Sequence, residues 1–110
     1  MSERPQTSPV SVRDLLAGWR ARTRPEDVGL VRGPRQKPGS GITQEQLARV
    51  LGISLRHCNA LELGAVRQPS FALLADLVRV LRLDGGERLA LMDALMSAAG
   101  SRAWELQKAS

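Results

Sequence analysis

Aromatic residues are nearly missing from this 110-residue chain: Trp19, Phe71 and Trp104 are all it has, and tyrosine is absent. Its core must therefore be aliphatic. Leu and Ala outweigh the β-branched residues, which favours helix over strand. Cysteine occurs once, at position 58, so an internal disulfide framework is excluded and a reducing compartment is expected. The lone His57 stands beside it, and one His with one Cys does not make a metal centre; the sequence calls for no metal and no cofactor. No run of 18 apolar residues is present, so nothing is expected to span a membrane. The opening "MSERPQTSPV" lacks the apolar segment of a signal peptide, which points to a cytoplasmic protein. Lysine is scarce as well: 14 of the 16 basic residues are Arg.

An enzyme is disfavoured by further absences. His57 and Cys58, adjacent on a helix, point in different directions and cannot pair as base and nucleophile. "GPRQKPGSG" follows no strand and lacks the Lys-Ser ending of a phosphate-binding loop.

What is present is enough for one folded domain. Hydrophobic residues make up 43%, which excludes disorder of the whole chain, and the length allows a single modest core. The net charge of +5 is uneven. Residues 1–51 carry nine basic and five acidic groups, residues 52–83 four and two, and residues 84–110 three and four. The basic half either meets phosphates or an acidic partner, or reflects the Arg bias of a GC-rich genome.

Punctuation along the chain predicts five helices. Residues 1–10 read as a flexible tail, 11–99 as the folded domain and 100–110 as a frayed C-terminal tail. Val12, Leu15, Leu16 and Trp19 fall at helical spacing in the first helix, and Pro25 is expected to end it or follow its end. Residues 24–41, with three prolines and four glycines, are expected to form no regular element; Arg32, Arg35 and Lys37 make this run either a solvated loop or a mobile basic arm. Thr43 and Gln46 fit a capping box, with Ile42 and Leu47 at the staple positions, and Gly52 supplies a left-handed stop. Ser54 caps the next helix, whose Cys58 and Leu61 face inward; Gly64 ends it. Ser70 caps a fourth helix with the expected buried stripe Phe71, Leu74, Leu77, Val78 and Leu81. Asp84 and Glu87 resemble a second capping box before a fifth helix carrying Leu89, Met92, Leu95 and Met96. That stripe reads as core or as a dimer face. No heptad seam is long enough for a coiled coil.

Two short helices joined at a Gly turn, the second capped, form a helix-turn-helix pattern. The major groove of DNA is about 12 Å wide and admits one helix. The second helix, residues 55–63, then leaves Leu55, Arg56, Asn59 and Ala60 outside. Arg suits guanine's two acceptors, Asn suits adenine's edge, and Leu or Ala suits a thymine methyl. Gln44, at the start of the first helix of the pair, is placed to meet a phosphate. Ser54 and His57 lie beside these residues, near the backbone. Arg32, Arg35 and Lys37 are candidate phosphate or minor-groove contacts.

The segments "TQEQLARVLGIS", "NALELG" and "PSFALLADLVRVLRL" resemble the Xre/Cro phage-repressor class of helix-turn-helix regulators. "RPEDVGL", "KPGSGITQEQLA" and "LRLDGGERLAL" are similar to its MmyB-like branch, over roughly residues 12–98. The resemblance implies an all-α, compact five-helix bundle of the lambda-repressor-like kind. It also implies transcription control on double-stranded DNA, and often a homodimer, here through residues 87–106. Thr43 and Gln44 match the phosphate-facing helix start, and Leu55, Arg56, Asn59 and Ala60 the groove-facing positions. Glu62 matches a Glu that pairs with an Arg of the first helix, here Arg20. Arg67 and Gln68 match a loop that meets phosphates. Ala65 stands where the branch has Arg, and the branch's usual ligand-sensing domain would lie beyond residue 98. A second expectation is a partner-dependent interaction module, an antitoxin or adaptor, suggested by the apolar Leu55, Ala60 and Leu63 on the same helix.

Overall fold

A computed structural model describes residues 10–66 and 68–109, with side chains as far as residue 98. Among them the fold is all-helical: α1 (Val12–Arg22), a 3-10 turn (Pro25–Val28), α2 (Gln44–Leu51), α3 (Leu55–Glu62), α4 (Phe71–Leu81) and α5 (Gly85–Ala109). The five α-helices wrap one aliphatic core. Leu16 and Leu47 are fully buried there with Cys58 and Leu77, and Leu61 and Leu81 are nearly so.

The helix starts follow the caps. Ser11, Ser54 and Ser70 each accept the amide of the residue three further on, at 3.0 Å. Thr43 and Gln46 close a full capping box, which satisfies two backbone donors that a bare helix end would leave unpaired. Asp84 and Glu87 close another: the Glu87 amide donates to Asp84 Oδ1 at 2.8 Å, and the Asp84 amide to Glu87 Oε1 at 3.0 Å. Gly52 stops α2 at φ 72°, a backbone that costs glycine little.

Four expectations need correction. The run 24–41 is not wholly irregular: Pro25, which follows the end of α1 as expected, opens the 3-10 turn Pro25–Val28 and is buried, because its missing N–H costs nothing at the start of a helical turn. Phe71 is 85% exposed, and the buried stripe of α4 is Leu73, Leu77, Val80 and Leu81, with Leu74 and Val78 half-buried. With Ser70 as cap, Phe71 is the first helical residue and sits well off the face centred on Leu77. On α5, Leu91 and Ala94 are buried, whereas Leu89 and Met96 are each 68% exposed. Finally, α5 continues unbroken to Ala109; residues 101–109 contain no Pro or β-branched residue to stop it. The Trp104 side chain lies outside the described residues, as does the segment 1–9.

The long loop before α2 is tied down. Gly41 passes so close to the end of α1 that an added Cβ would overlap the Arg20 carbonyl. This approach lets the Ile42 amide donate to Thr23 O at 2.8 Å and Arg20 O at 3.1 Å. Gln36 and Gln46 exchange side-chain amide hydrogen bonds of 2.8 and 2.9 Å. The loop is thereby clamped to the first turn of α2, and the alternative of a mobile arm does not describe it.

Candidate nucleic-acid interface

The site is assembled around one buried carboxylate. Glu62, on the last turn of α3, is 2% exposed. Arg20 of α1 holds both of its oxygens with one edge of the guanidinium, Nε at 2.8 Å and Nη2 at 3.1 Å. Gln44 Nε2 donates to the same carboxylate at 3.0 Å. Arg20 Nη1 also donates to Ile42 O at 3.3 Å. A buried charge is tolerated when it is paired and its lone pairs are filled, and here three elements meet to do so. The pair Arg20–Glu62 thus fixes the start of α2 against α3.

Gln44 Nε2 also lies 3.4 Å from Asn59 Oδ1. Its amide nitrogen is therefore turned toward α3, between a buried carboxylate and an outward Asn. The Thr43 hydroxyl accepts from Gln46 N, and Ser54 Oγ from His57 N. Both residues are exposed and both cap.

The outward face of α3 carries Arg56, His57 and Asn59, all exposed, with Leu55 48% exposed on one flank. Helical spacing puts Arg56, Asn59 and Leu63 on one stripe, away from Cys58, Leu61 and Glu62. Leu63 is 56% exposed. Ala60 is half-buried, at the edge of this face. Cys58 is fully buried, and burial chiefly, with the nearby Glu62 charge, pushes its thiol up to about 11; the thiol stays protonated and unreactive near neutrality.

The loop cations divide into two kinds. Arg32 is spent inside the loop: it pairs with Glu26 at 3.1 Å and donates to the carbonyls of Lys37 and Ser40 at 2.8 Å. Its role is to shape the loop, which alters the reading of it as a free cation. Arg35 and Lys37 are exposed, and they line a groove of about 830 Å³ between the loop and α2. Arg49 of α2 lines the same groove; sequence reasoning missed it, although its spacing from Gln46 puts it next to the loop. Gln68 is exposed, and Arg67 lies outside the described residues. Phe71, the exposed first residue of α4, was expected in the buried stripe, and the position of its cap was the available signal for the correct register. Among the described residues, no cluster of His, Cys, Asp and Glu is arranged to hold a metal, and no helix is long and apolar enough to cross a membrane.

No curated protein and no solved structure matches the chain. Residues 37–87, from the end of the clamped loop to the first turn of α5, match the family model described as Helix-turn-helix, so the elements that carry Gln44, Arg56 and Asn59 form a helix-turn-helix domain.

Proposed function

We propose that the protein is a DNA-binding transcription regulator that reads the major groove with residues 55–63. The observation that carries this is the outward face of α3. It offers a guanidinium and a carboxamide, Arg56 and Asn59, on a helix fixed at one end by the buried Arg20–Glu62–Gln44 cluster. A reading helix needs this combination of polar, exposed donors and a backbone that does not shift when they engage. Arg56 reads a guanine, Asn59 an adenine, and Leu55 with Ala60 touches a thymine methyl. Thr43, Ser54, His57, Arg67 and Gln68 meet the backbone along the edges of the groove. Arg35 and Lys37, with Arg49, extend the phosphate track past the start of α2. The MmyB-like resemblance fits a cytoplasmic regulator that works as a homodimer on a two-fold operator, with half-sites about 34 Å apart.

Selection of binding sites from a random duplex pool tests this reading. The wild-type protein enriches one motif, and Arg56→Ala loses its preference at a single guanine while keeping the others. A pool that never enriches overturns it. The half-exposed Leu55 and Leu63 favour a second reading, a module that acts only with a separate regulatory partner protein; that reading gains if α3 substitutions leave DNA binding unchanged.

A further inference from the structure

Gln44 stands between the buried cluster and the outward face of α3, and both hydrogens of its side-chain amide are spent. One goes to Glu62 Oε1 at 3.0 Å, the other to Asn59 Oδ1 at 3.4 Å. Which end of the Gln44 carboxamide faces α3 follows from chemistry. Glu62 is paired with Arg20, and a carboxylate in such a pair only accepts. The opposite orientation would set the Gln44 carbonyl oxygen against it. The Gln44 nitrogen therefore points at Glu62, and its second hydrogen needs an acceptor. That fixes Asn59 in turn: Oδ1 faces Gln44, and the Asn59 nitrogen is turned away from it on an exposed side chain. A polarity set by one buried charge is passed through two carboxamides to the surface of α3.

Gln44 is thus left without a donor for a phosphate, although the start of α2 is where a phosphate contact is expected. Asn59, for its part, offers acceptor and donor in a fixed order. Its Oδ1 has two lone pairs. With one engaged by Gln44, the other accepts from the exocyclic amine of adenine while the nitrogen donates to adenine's N7. A guanine in the same place sets its O6 against Oδ1, acceptor against acceptor. A carboxamide free to turn over would offer its nitrogen to O6 and lose the distinction. At 3.4 Å the bond to Asn59 is the longer and weaker of the two, so its effect is a modest one.

We propose that Gln44 is a positioning residue: it holds the Asn59 carboxamide in the orientation that accepts adenine and rejects guanine, under the control of the buried Glu62 carboxylate. Resting on the reading of DNA by α3, this role adds the residue that sets the selectivity of Asn59.

The test uses the full-length protein and Gln44→Met, which keeps the stem and removes both donors. Asn59→Ala first identifies the base pair that Asn59 reads, as the position whose preference it loses. At that pair Gln44→Met lowers the preference for adenine over guanine about threefold, the worth of one weak neutral hydrogen bond. It leaves the guanine read by Arg56 and the affinity for a scrambled duplex unchanged. Gln44→Met added to Asn59→Ala costs nothing more, because the two residues act through one contact. A uniform loss on every duplex, scrambled included, overturns the proposal in favour of a phosphate contact, as do losses that add in the double variant. A further readout needs no DNA. Nitrogen relaxation of the Asn59 side-chain amide shows restricted motion in free wild type and greater motion in Gln44→Met. A wild-type amide as mobile as that of an unattached surface Asn overturns the link, and this arm stands even if the variant folds poorly in thermal melts. A wild type with no base preference but a restricted Asn59 amide overturns instead the reading of DNA by α3, and with it the selective role of the link.

Discussion

Glu62 is the residue on which the others depend. Its carboxylate is buried and accepts from Arg20 and Gln44, so removing Arg20 strands a charge in the core. Arg20→Ala should lower stability by about 3 kcal/mol, read from the urea midpoint. Arg20→Met combined with Glu62→Leu should recover most of that loss, because the pair is then replaced by apolar packing. A double variant as unstable as the single would show that the cost lies in lost packing around Arg20 instead. Much of this residue-scale picture was legible in advance. Cys58 and Leu61 read as inward from the Ser54 cap, and Arg20 was named as the partner of Glu62 from the family resemblance. The links from Gln44 to Glu62 and Asn59 were not legible, because they join residues 18 and 15 positions apart whose meeting depends on how α2 crosses α3. The place of Arg32 inside the loop was not legible for the same reason: its carbonyl partners Lys37 and Ser40 come near only once the loop has folded back.

At the scale of elements, the caps were the most readable feature. Thr43 with Gln46 and Asp84 with Glu87 act across three residues, so local sequence contains the whole interaction. The register of α4 was not readable from its composition, since Phe71, Leu73 and Leu74 are all apolar and only the position of Ser70 decides among them. Gly41 is a further case. Its glycine is required by the approach of the loop to the Arg20 carbonyl, which no local pattern announces. Gly41→Ala must push the segment leading into α2 away from α1, and a loss of about 2 kcal/mol or more in chemical denaturation is expected. Because Ile42 and Thr43 would shift with it, DNA affinity should fall together with stability. A fully stable Gly41→Ala protein would contradict the close approach.

Among the described residues, an ion pair joins the first and last helices. Arg22 holds Glu87 through both oxygens, at 2.6 and 2.8 Å. The Arg22 hydrogen bonds, with the Asp84 amide, bring the Glu87 carboxyl down to about 2, from an ordinary value of 4.5. A carboxyl whose folded value is lowered stabilises the fold above its unfolded value, and that contribution disappears as pH falls toward the folded one. The stability difference between wild type and Glu87→Gln should therefore be constant above about pH 5 and shrink between about pH 4.5 and 2, as thermal melts across that range would reveal. A difference independent of pH would mean that the Glu87 charge does not act. This pair also anchors the base of α5 to the end of α1.

At this same scale, charge and geometry point one way: a basic domain with an outward helix that carries Arg56 and Asn59. The most direct test is fluorescence-anisotropy binding to duplex DNA from the protein's own upstream region and to a scrambled duplex, across a salt series, with wild type and Arg56→Ala. The account predicts selective binding by wild type and an affinity that falls steeply with salt as phosphate contacts are screened. It also predicts a loss of about 1–3 kcal/mol for Arg56→Ala on the native sequence, with little loss on the scrambled one. Equal affinity for the two duplexes, or an Arg56→Ala protein that discriminates as well as wild type, would contradict it.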